Sequence, residues 1–362
     1  MGVFRLRRTA ISFIPTTAVL ELTYLCNHSC QFCSCPWEDK KEPFTIRNEL
    51  TTEQWQLAIS KLCTMGVTNI AFTGGEPTLR ADLPQIIKHA ASCSAEYIET
   101  VDGSLQSRRS PPKIYLLSNG RDVDQSVLEL CEEHAVQLSM SLPGLSSFEA
   151  HTGYDGADGV LKSFEQAKKM GIKTVANITV TKKNLHELQE TMAAALLAGA
   201  DQVLLNRFLP GGRGLQYSKD LSLTAEQLTE MLDIAEETLQ AASRYGSLGT
   251  EVPRCLIDPS RYTNLQVSTR CAAAISFFVV GPSGHIRVCN HSPVELDHID
   301  NIENLKRNPY WNIFTQKKYL PESCASCTDR LECDGGCREA AHIMGGTVDS
   351  PDVLLNSYGC CS

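Results

Sequence analysis

The 362-residue chain has no run of 18 apolar residues, so no membrane-crossing helix is expected. It also lacks an excess of positive charge. Its 33 Lys and Arg stand against 42 Asp and Glu, a formal net charge of −9. Binding nucleic acid or an anionic membrane through bulk charge needs a basic surface, so neither is expected as a partner. No internal repeat, coiled-coil seam or low-complexity tract is present. An export signal is imitated by Arg5, Arg7 and Arg8 ahead of the apolar stretch Ala10–Ile14. Pro15 interrupts that stretch and no small-residue cleavage site follows, so a reducing cytoplasm is the expected location. The apolar content of 42% is enough for a sizeable core, and the length suggests two or so domains.

Cysteine is abundant, with 16 in the chain. They cluster at metal-type spacings near both ends, which favours metal over a disulfide framework. Cys63, Cys93 and Cys131 sit apart from the clusters in helix-like stretches and read as packing residues. Near the N-terminus, Cys26-x3-Cys30-x2-Cys33 follows a β-prone lead-in ending at Leu25, with Phe32 before the third cysteine. Three thiolates on a short loop can hold three irons of a [4Fe–4S] cluster and leave the fourth open. A zinc site is the alternative, although structural zinc usually closes with four ligands. Cys35 reads as a spare packing thiol.

Strand-like segments recur at about Val19–Leu25, Asn69–Thr73, Lys113–Gly120, Val136–Gly144, Ile172–Thr181 and Asp201–Gly212. Helices are expected between them, the first opening at Thr51-Thr52-Glu53 with Trp55, Leu57, Ile59 and Leu62 inward. Ser94–Pro112 is polar and reads as a surface insertion, and Glu38–Asn48 as a loop over the site. The strands are apolar rather than alternating, as in a parallel sheet covered by helices. The expected class is therefore α/β, a partial (β/α)6 barrel, short of the eight units of a closed one. Thr224–Tyr245 reads as an amphipathic helix through Leu228, Met231, Leu232, Ile234 and Leu239, after which the composition shifts to turns and cysteines. The expected division is 1–215 barrel, 216–250 connecting helix and 251–362 cysteine-rich domain.

The Cys-x3-Cys-x-Phe-Cys loop after a strand resembles that of the radical S-adenosylmethionine (SAM) enzymes. The resemblance implies that the open iron is chelated by SAM, which is reductively cleaved to a 5′-deoxyadenosyl radical that takes a hydrogen atom from the substrate. In barrel enzymes chemistry sits at the C-terminal strand ends. There Gly74-Gly75-Glu76-Pro77 resembles the family's GGEP motif, which binds the SAM amino group. Ser118-Asn119-Gly120 resembles its (T/S)NG turn, and Ser141-Leu142-Pro143-Gly144 its SLDG motif, with Pro143 in place of the usual Asp. Phe32 is carried over with this set as a cofactor contact. Asn177 and Thr179, then Asn206 and Arg207, are candidate contacts to SAM or substrate, or polar caps of the barrel rim.

Towards the C-terminus, Cys271-x12-Gly284-x4-Cys289 precedes Cys324-x2-Cys327-x5-Cys333-x3-Cys337 and then Cys360-Cys361, with Cys255 upstream. This pattern resembles the SPASM domain that extends radical SAM enzymes acting mostly on peptides and proteins. It implies two auxiliary [4Fe–4S] clusters. Cys271, Cys289 and Cys337 would hold the first, with Cys255 as a fourth thiolate or an iron left open. Cys324, Cys327 and Cys333 would hold the second, completed by Cys360 or Cys361. A zinc ribbon at Cys324, Cys327, Cys333 and Cys337 is the alternative. Sulfatase-maturing relatives place an Asp after the Gly-x4-Cys cysteine. This chain has Asn290, then His291, which disfavours formylglycine formation.

The implied activity is modification of a ribosomal peptide or protein side chain by hydrogen abstraction, giving a crosslink, a thioether or an epimerised residue. Tetrapyrrole or cofactor side-chain modification is the second enzymatic reading. An iron–sulfur electron-transfer protein would explain the cysteines but neither the GGEP turn nor the barrel. The expected partners are a reductant such as flavodoxin or ferredoxin and a peptide substrate whose leader would bind the barrel, the SPASM domain or a separate leader-peptide-recognition protein, since 25 residues before Cys26 are few for a recognition domain.

Overall fold

A computed structural model describes residues 8–10, 13–41, 44–101 and 104–355. Strand β1 (Arg8–Ala10) is followed by β2 (Thr17–Glu21), helix α1 (Thr52–Thr64), β3 (Asn69–Thr73) and α2 (Leu83–Ser92). Then come β4 (Ala95–Val101), β5 (Ser104–Ser110), β6 (Lys113–Ser118), α3 (Gln125–Glu133), β7 (Gln137–Ser141), α4 (Phe148–Thr152) and α5 (Ala157–Lys169). The series continues with β8 (Thr174–Val180), α6 (Leu188–Ala198), β9 (Gln202–Arg207), α7 (Ser218–Leu221) and α8 (Ala225–Ala241). Short elements follow: β10 (Gly246–Leu248), β11 (Leu265–Gln266), β12 (Phe277–Val280), β13 (Ile286–Arg287), α9 (Pro309–Thr315) and α10 (Arg338–Ile343).

The main sheet runs β11-β10-β9-β8-β7-β6-β3-β2-β12-β13. Every pair in it is parallel except β12–β13. The six expected strands form its centre, and among the described residues it does not close on itself. Both flanks come from beyond Gly246: β10 and β11 extend one side and β12 and β13 the other. One apolar core accordingly runs from Leu20 and Phe72 through Phe278, Val280, Ile286 and Trp311. A second joins β8, β9, α6 and α8 to Leu248, Leu265 and Leu354.

Local sequence explains most element ends. Helix α1 is closed by a reciprocal cap in which Thr51 Oγ1 accepts from Gln54 N and Gln54 Oε1 from Thr51 N, so Gln54 rather than Glu53 is the partner. Its inward face is Trp55, Ala58, Ile59 and Leu62, while Leu57, two residues off that stripe, is 71% exposed. The Ser94–Pro112 insertion is an antiparallel hairpin, β4 with β5, and β1 pairs with β4 to make a three-stranded sheet. The strands are less uniformly apolar than expected. In β8, Thr174, Ala176, Ile178 and Val180 are buried, while Val175, Asn177 and Thr179 are half-buried. The half-buried set shares a face with Val19, Ala71, Tyr115 and Leu117, the inner wall of the barrel.

Glu236 of α8 fastens the sheet edge. Its carboxylate accepts from Thr263 N, Thr263 Oγ1, Asn264 N and Leu265 N at 2.8–3.0 Å. Burial alone would raise its pKa, but these donors outweigh it and hold the group at about 2. A depressed carboxyl stabilises the fold above its unfolded pKa and ceases to do so as pH falls through the folded value. Glu236→Gln should therefore lose about 2 kcal/mol at neutral pH. The gap to the parent should narrow below the ordinary 4.5 towards 2. Urea unfolding at a series of pH values measures it.

Candidate active site

All the parallel strands end at one mouth, where the first cysteine loop lies. Strand β2 stops at Glu21, and Leu22–Leu25 continue without strand geometry against the turn after β3. Leu22 N donates to Thr73 O at 2.8 Å, Gly75 N to Thr23 O at 2.8 Å and Glu76 N to Leu25 O at 2.7 Å. A Cβ on Gly75 would lie 2.0 Å from Leu25 O, so only glycine permits this approach. Glu49 accepts from Thr23 Oγ1 and Tyr24 N, both at 2.7 Å. On its other side the loop rests on α4, through Ser29 N to Thr152 O and Gln31 N to His151 O. The Phe32 ring stands 6.0 Å from that of His151. The turn after β9 closes from above: Gly214 N donates to Cys33 O at 3.0 Å, and Arg213 reaches Cys30 O and pairs with Glu38. Cys26 is left exposed, with Cys30 and Cys33 half-buried. Cys35 is half-buried too and points its thiol at Gly74 O, 3.8 Å away.

Glu76, expected as a cofactor contact, is turned inward. It is fully buried and accepts from Thr78 N, Thr78 Oγ1, Ser118 Oγ and Asn119 N at 2.7–3.2 Å. Burial raises its carboxyl above the usual value against these donors. Ser118, buried, is committed to the same network and also accepts from Gly120 N. Gly74 and Gly75 are half-buried beside it, and Asn119 reaches the cysteine loop, its Nδ2 3.9 Å from Cys26 Sγ and 2.7 Å from Asn27 Oδ1. Ser141 is half-buried beside Asn177 in register, and Asn177 Oδ1 accepts from Asn206 Nδ2 at 2.9 Å, a polar arc on the inner wall.

Arg207 is neither a cofactor contact nor a rim cap. It is buried against Asp352 at 2.6 Å and donates to Glu251 O. Asp352 in turn accepts from Cys337 N at 2.7 Å, and Asp334 accepts from Cys271 N at 2.8 Å. Cys271, Cys289 and Cys337 are all buried. Cys324 and Cys333 are half-buried and Cys327 exposed on a separate loop. Cys255 is exposed, and its neighbour Arg254 donates its amide to Cys333 Sγ at 3.4 Å and pairs with Glu332. Cys255 thus lies by the Cys324 loop, where the motif alone suggested Cys271. Cys360 and Cys361 lie outside the described residues.

Among the described residues no three His, Cys, Asp or Glu side chains are gathered as for a single metal ion. The donor sets fit iron–sulfur clusters better, because each thiolate there binds its own iron. The two cysteine regions meet at a buried ion pair, Glu21 of β2 with Arg287 of β13. Arg287 also donates to Asn290 O and Ser292 O, and the Asn290 side chain bonds Glu21. Beside them opens a cavity of about 900 Å³ lined by Pro36, Phe44, Gly212, His291 and His342. His291 is half-buried there, bonded to Pro210 O at 2.7 Å. Glu49, Arg213 and Arg287 are site-forming residues that motif reading missed. Only Arg213, inside Pro210-Gly211-Gly212-Arg213-Gly214 after a strand, carried a sequence signal.

Fold and site together define an α/β partial-barrel enzyme with a three-cysteine loop at its mouth. Residues 20–195 match the Radical SAM superfamily, and the chain is a radical SAM enzyme, a class that uses a [4Fe–4S] cluster and SAM. It is 26% identical over 360 residues to a PqqA peptide cyclase of Bradyrhizobium diazoefficiens, covering 96% of this chain and 87% of that one. It is 25% identical to a Gluconobacter oxydans protein of the same name, covering 94% and 90%. Similar solved structures include Streptococcus suis SuiB bound to S-adenosylmethionine, with TM-score 0.70, 16% identity and coverage of 96% and 77%. Another is anSMEcpe with bound AdoMet, with TM-score 0.69, 16% identity and 95% coverage of each chain.

Gly75→Ala should cost about 1–3 kcal/mol of stability, since the new methyl meets backbone rather than a movable side chain. SAM affinity should fall about two- to tenfold if half of that cost reaches the bound state. Thermal melting and calorimetric SAM titration of the reconstituted protein check both.

Proposed function

We propose that this enzyme modifies a side chain of a ribosomally made peptide or protein by hydrogen abstraction, forming a crosslink or thioether or inverting a centre. The observation that carries the reading is the match over nearly the whole chain to proteins named peptide cyclases. Cys26, Cys30 and Cys33 would hold the SAM-binding cluster. Bound to it, SAM supplies the radical that removes a substrate hydrogen atom. The Gly74–Pro77 backbone, Asn119, Ser141 and Asn177 would line the SAM site. Glu76 and Ser118 act behind it, fixing the ends of β3 and β6 in register. Arg213 and the glycines around it would keep the cysteine loop closed against water. The cavity beside His291 would receive the peptide, since it opens between the first cysteine loop and the buried cysteines.

Residues 1–215 would then be the catalytic barrel, 216–250 a connector and 251–362 a SPASM domain carrying auxiliary clusters. Such clusters accept the electron that a bond-forming substrate radical must lose. A flavodoxin or ferredoxin would supply the reductant, a separate protein would present the leader peptide, and the cytoplasm is the fitting compartment. No helix among the described residues is long and apolar enough to cross a membrane.

Reconstituted enzyme should release 5′-deoxyadenosine several-fold faster with the right peptide from among those encoded beside its gene. That peptide should return lighter by two hydrogens or with one exchanged from solvent. Equal SAM cleavage with and without every such peptide contradicts the reading. Liquid chromatography with mass spectrometry of nucleoside and peptide decides it.

A further inference from the structure

The cavity beside the first cysteine loop holds a side-chain cluster that neither the SAM site nor the cysteines use. His342 lines it from α10, together with His291. Glu339 and His342 stand three residues apart on that helix and so share a face, and Tyr310 of α9 meets both. Glu339 Oε2 lies 3.1 Å from His342 Nδ1. Tyr310 Oη donates to Glu339 Oε1 at 2.8 Å and lies 3.2 Å from the same His342 nitrogen. The Glu339 side chain is 1% exposed, whereas that of His342 is 33% exposed. The helix carrying the pair is firmly held. At its start Cys337 N donates to Asp352, and buried Arg338 donates to the carbonyls of Gly336, Val348 and Ser350.

A ring nitrogen set against a carboxylate is the one that carries hydrogen, so Glu339 selects the tautomer with N–H at Nδ1 and the lone pair at Nε2. The same carboxylate favours the imidazolium once Nε2 takes a proton, because salt screens a buried charge poorly. Other polar side chains of the cavity are less suited. His291 spends its Nε2 on Pro210 O, a neutral carbonyl, at 2.7 Å. Glu295 is paired with Arg47, and Asp39 accepts from Lys41 N at 2.8 Å within its own turn. Carboxylates are in any case weaker bases than imidazole.

We infer that His342 is the proton acceptor of the peptide cavity, with Glu339 and Tyr310 as its positioning residues, and that the reaction there forms a bond rather than inverting a centre. This rests on the peptide-modifying reading above. A hydrogen atom passes from a substrate carbon to the 5′-deoxyadenosyl radical, giving 5′-deoxyadenosine. The carbon radical then bonds to a sulfur or an aromatic carbon of a second side chain. That atom gives up its hydrogen as a proton, which His342 Nε2 accepts, and one electron leaves to an oxidised iron–sulfur cluster of the auxiliary kind. The peptide ends lighter by two hydrogens. Inversion of a centre returns a hydrogen atom to the carbon and releases no proton, so it has no use for a base.

The test uses the full chain, reconstituted anaerobically, with each peptide encoded beside its gene supplied in turn. Peptide lighter by two hydrogens is counted per 5′-deoxyadenosine formed above the peptide-free rate. This ratio counts only turnovers that reached a substrate radical, so weaker folding or binding leaves it unmoved. His342→Gln should lower it about tenfold or more, as loss of a general base does, with unchanged peptide recovered in place of product. Glu339→Gln should lower it severalfold, and His291→Gln less than His342→Gln. A second readout needs no turnover: diethylpyrocarbonate labelling mapped by mass spectrometry. His342 should be acylated in the parent protein and protected by the peptide that stimulates SAM cleavage. The inference is overturned if His342→Gln keeps the parent ratio, if His291→Gln lowers it as much, or if the product keeps its full mass. It is overturned equally if His342 is not acylated, or is acylated alike with and without that peptide. If no peptide raises 5′-deoxyadenosine release in the parent, the peptide-modifying reading itself fails and this inference falls with it.

Discussion

The buried pair of Glu21 and Arg287 is the constraint on which the rest of the site depends. Glu21 ends the strand that leads into the first cysteine loop, and Arg287 ends the strand that leads to Cys289. Both side chains are almost completely buried, so neither charge survives without the other. Removing one partner of such a pair is far more damaging than replacing both. Arg287 spends its remaining donors on the carbonyls of Asn290 and Ser292, which sets the turn after Cys289. The pair therefore fixes two distant stretches of chain, 266 residues apart, in one geometry. A second buried link, Arg207 with Asp352, does the same between β9 and the amide of Cys337. Charges inside this protein register one cysteine region against another, which apolar packing alone would leave free to slide.

Around that frame the mouth is built largely from backbone. The turn after β3 pairs with the residues before Cys26, the turn after β9 covers Cys33, and α4 supports the loop from behind. Side chains such as Glu76, Ser118 and Glu49 hold these segments to one another. A loop held on three sides by main-chain hydrogen bonds keeps its thiols in place before any cluster is bound. Preorganisation of this kind suits a reaction whose intermediate would attack any misplaced group.

Much of this was legible in the residues. The six central strands, the cysteine loop and the turn at Gly74–Pro77 stand where spacing placed them, because long apolar segments and glycine turns depend on local chemistry. Strands β10 to β13 were not legible. They are two to four residues long, too short for any periodicity, and they exist only because the sheet offers them an edge. The β4–β5 hairpin was missed because its second strand is largely exposed and polar. Arg207 read as a site residue from its position at a strand end. Its partner Asp352 lies 145 residues on, and no local pattern announces it. The inward turn of Glu76 was hidden for the same reason: a motif gives a residue its neighbourhood, and only the packed chain gives its side chain a direction.

The central claim is that two cysteine regions at one barrel mouth hold iron–sulfur centres, one of them for SAM. Counting iron and sulfide in anaerobically reconstituted protein, beside a variant with Cys26, Cys30 and Cys33 all changed to Ala, tests it most directly. About 12 irons falling to about 8, at four per cluster, is the predicted result. An iron content of about 4 that vanishes in the variant, or zinc in place of iron at the C-terminal cysteines, would contradict it.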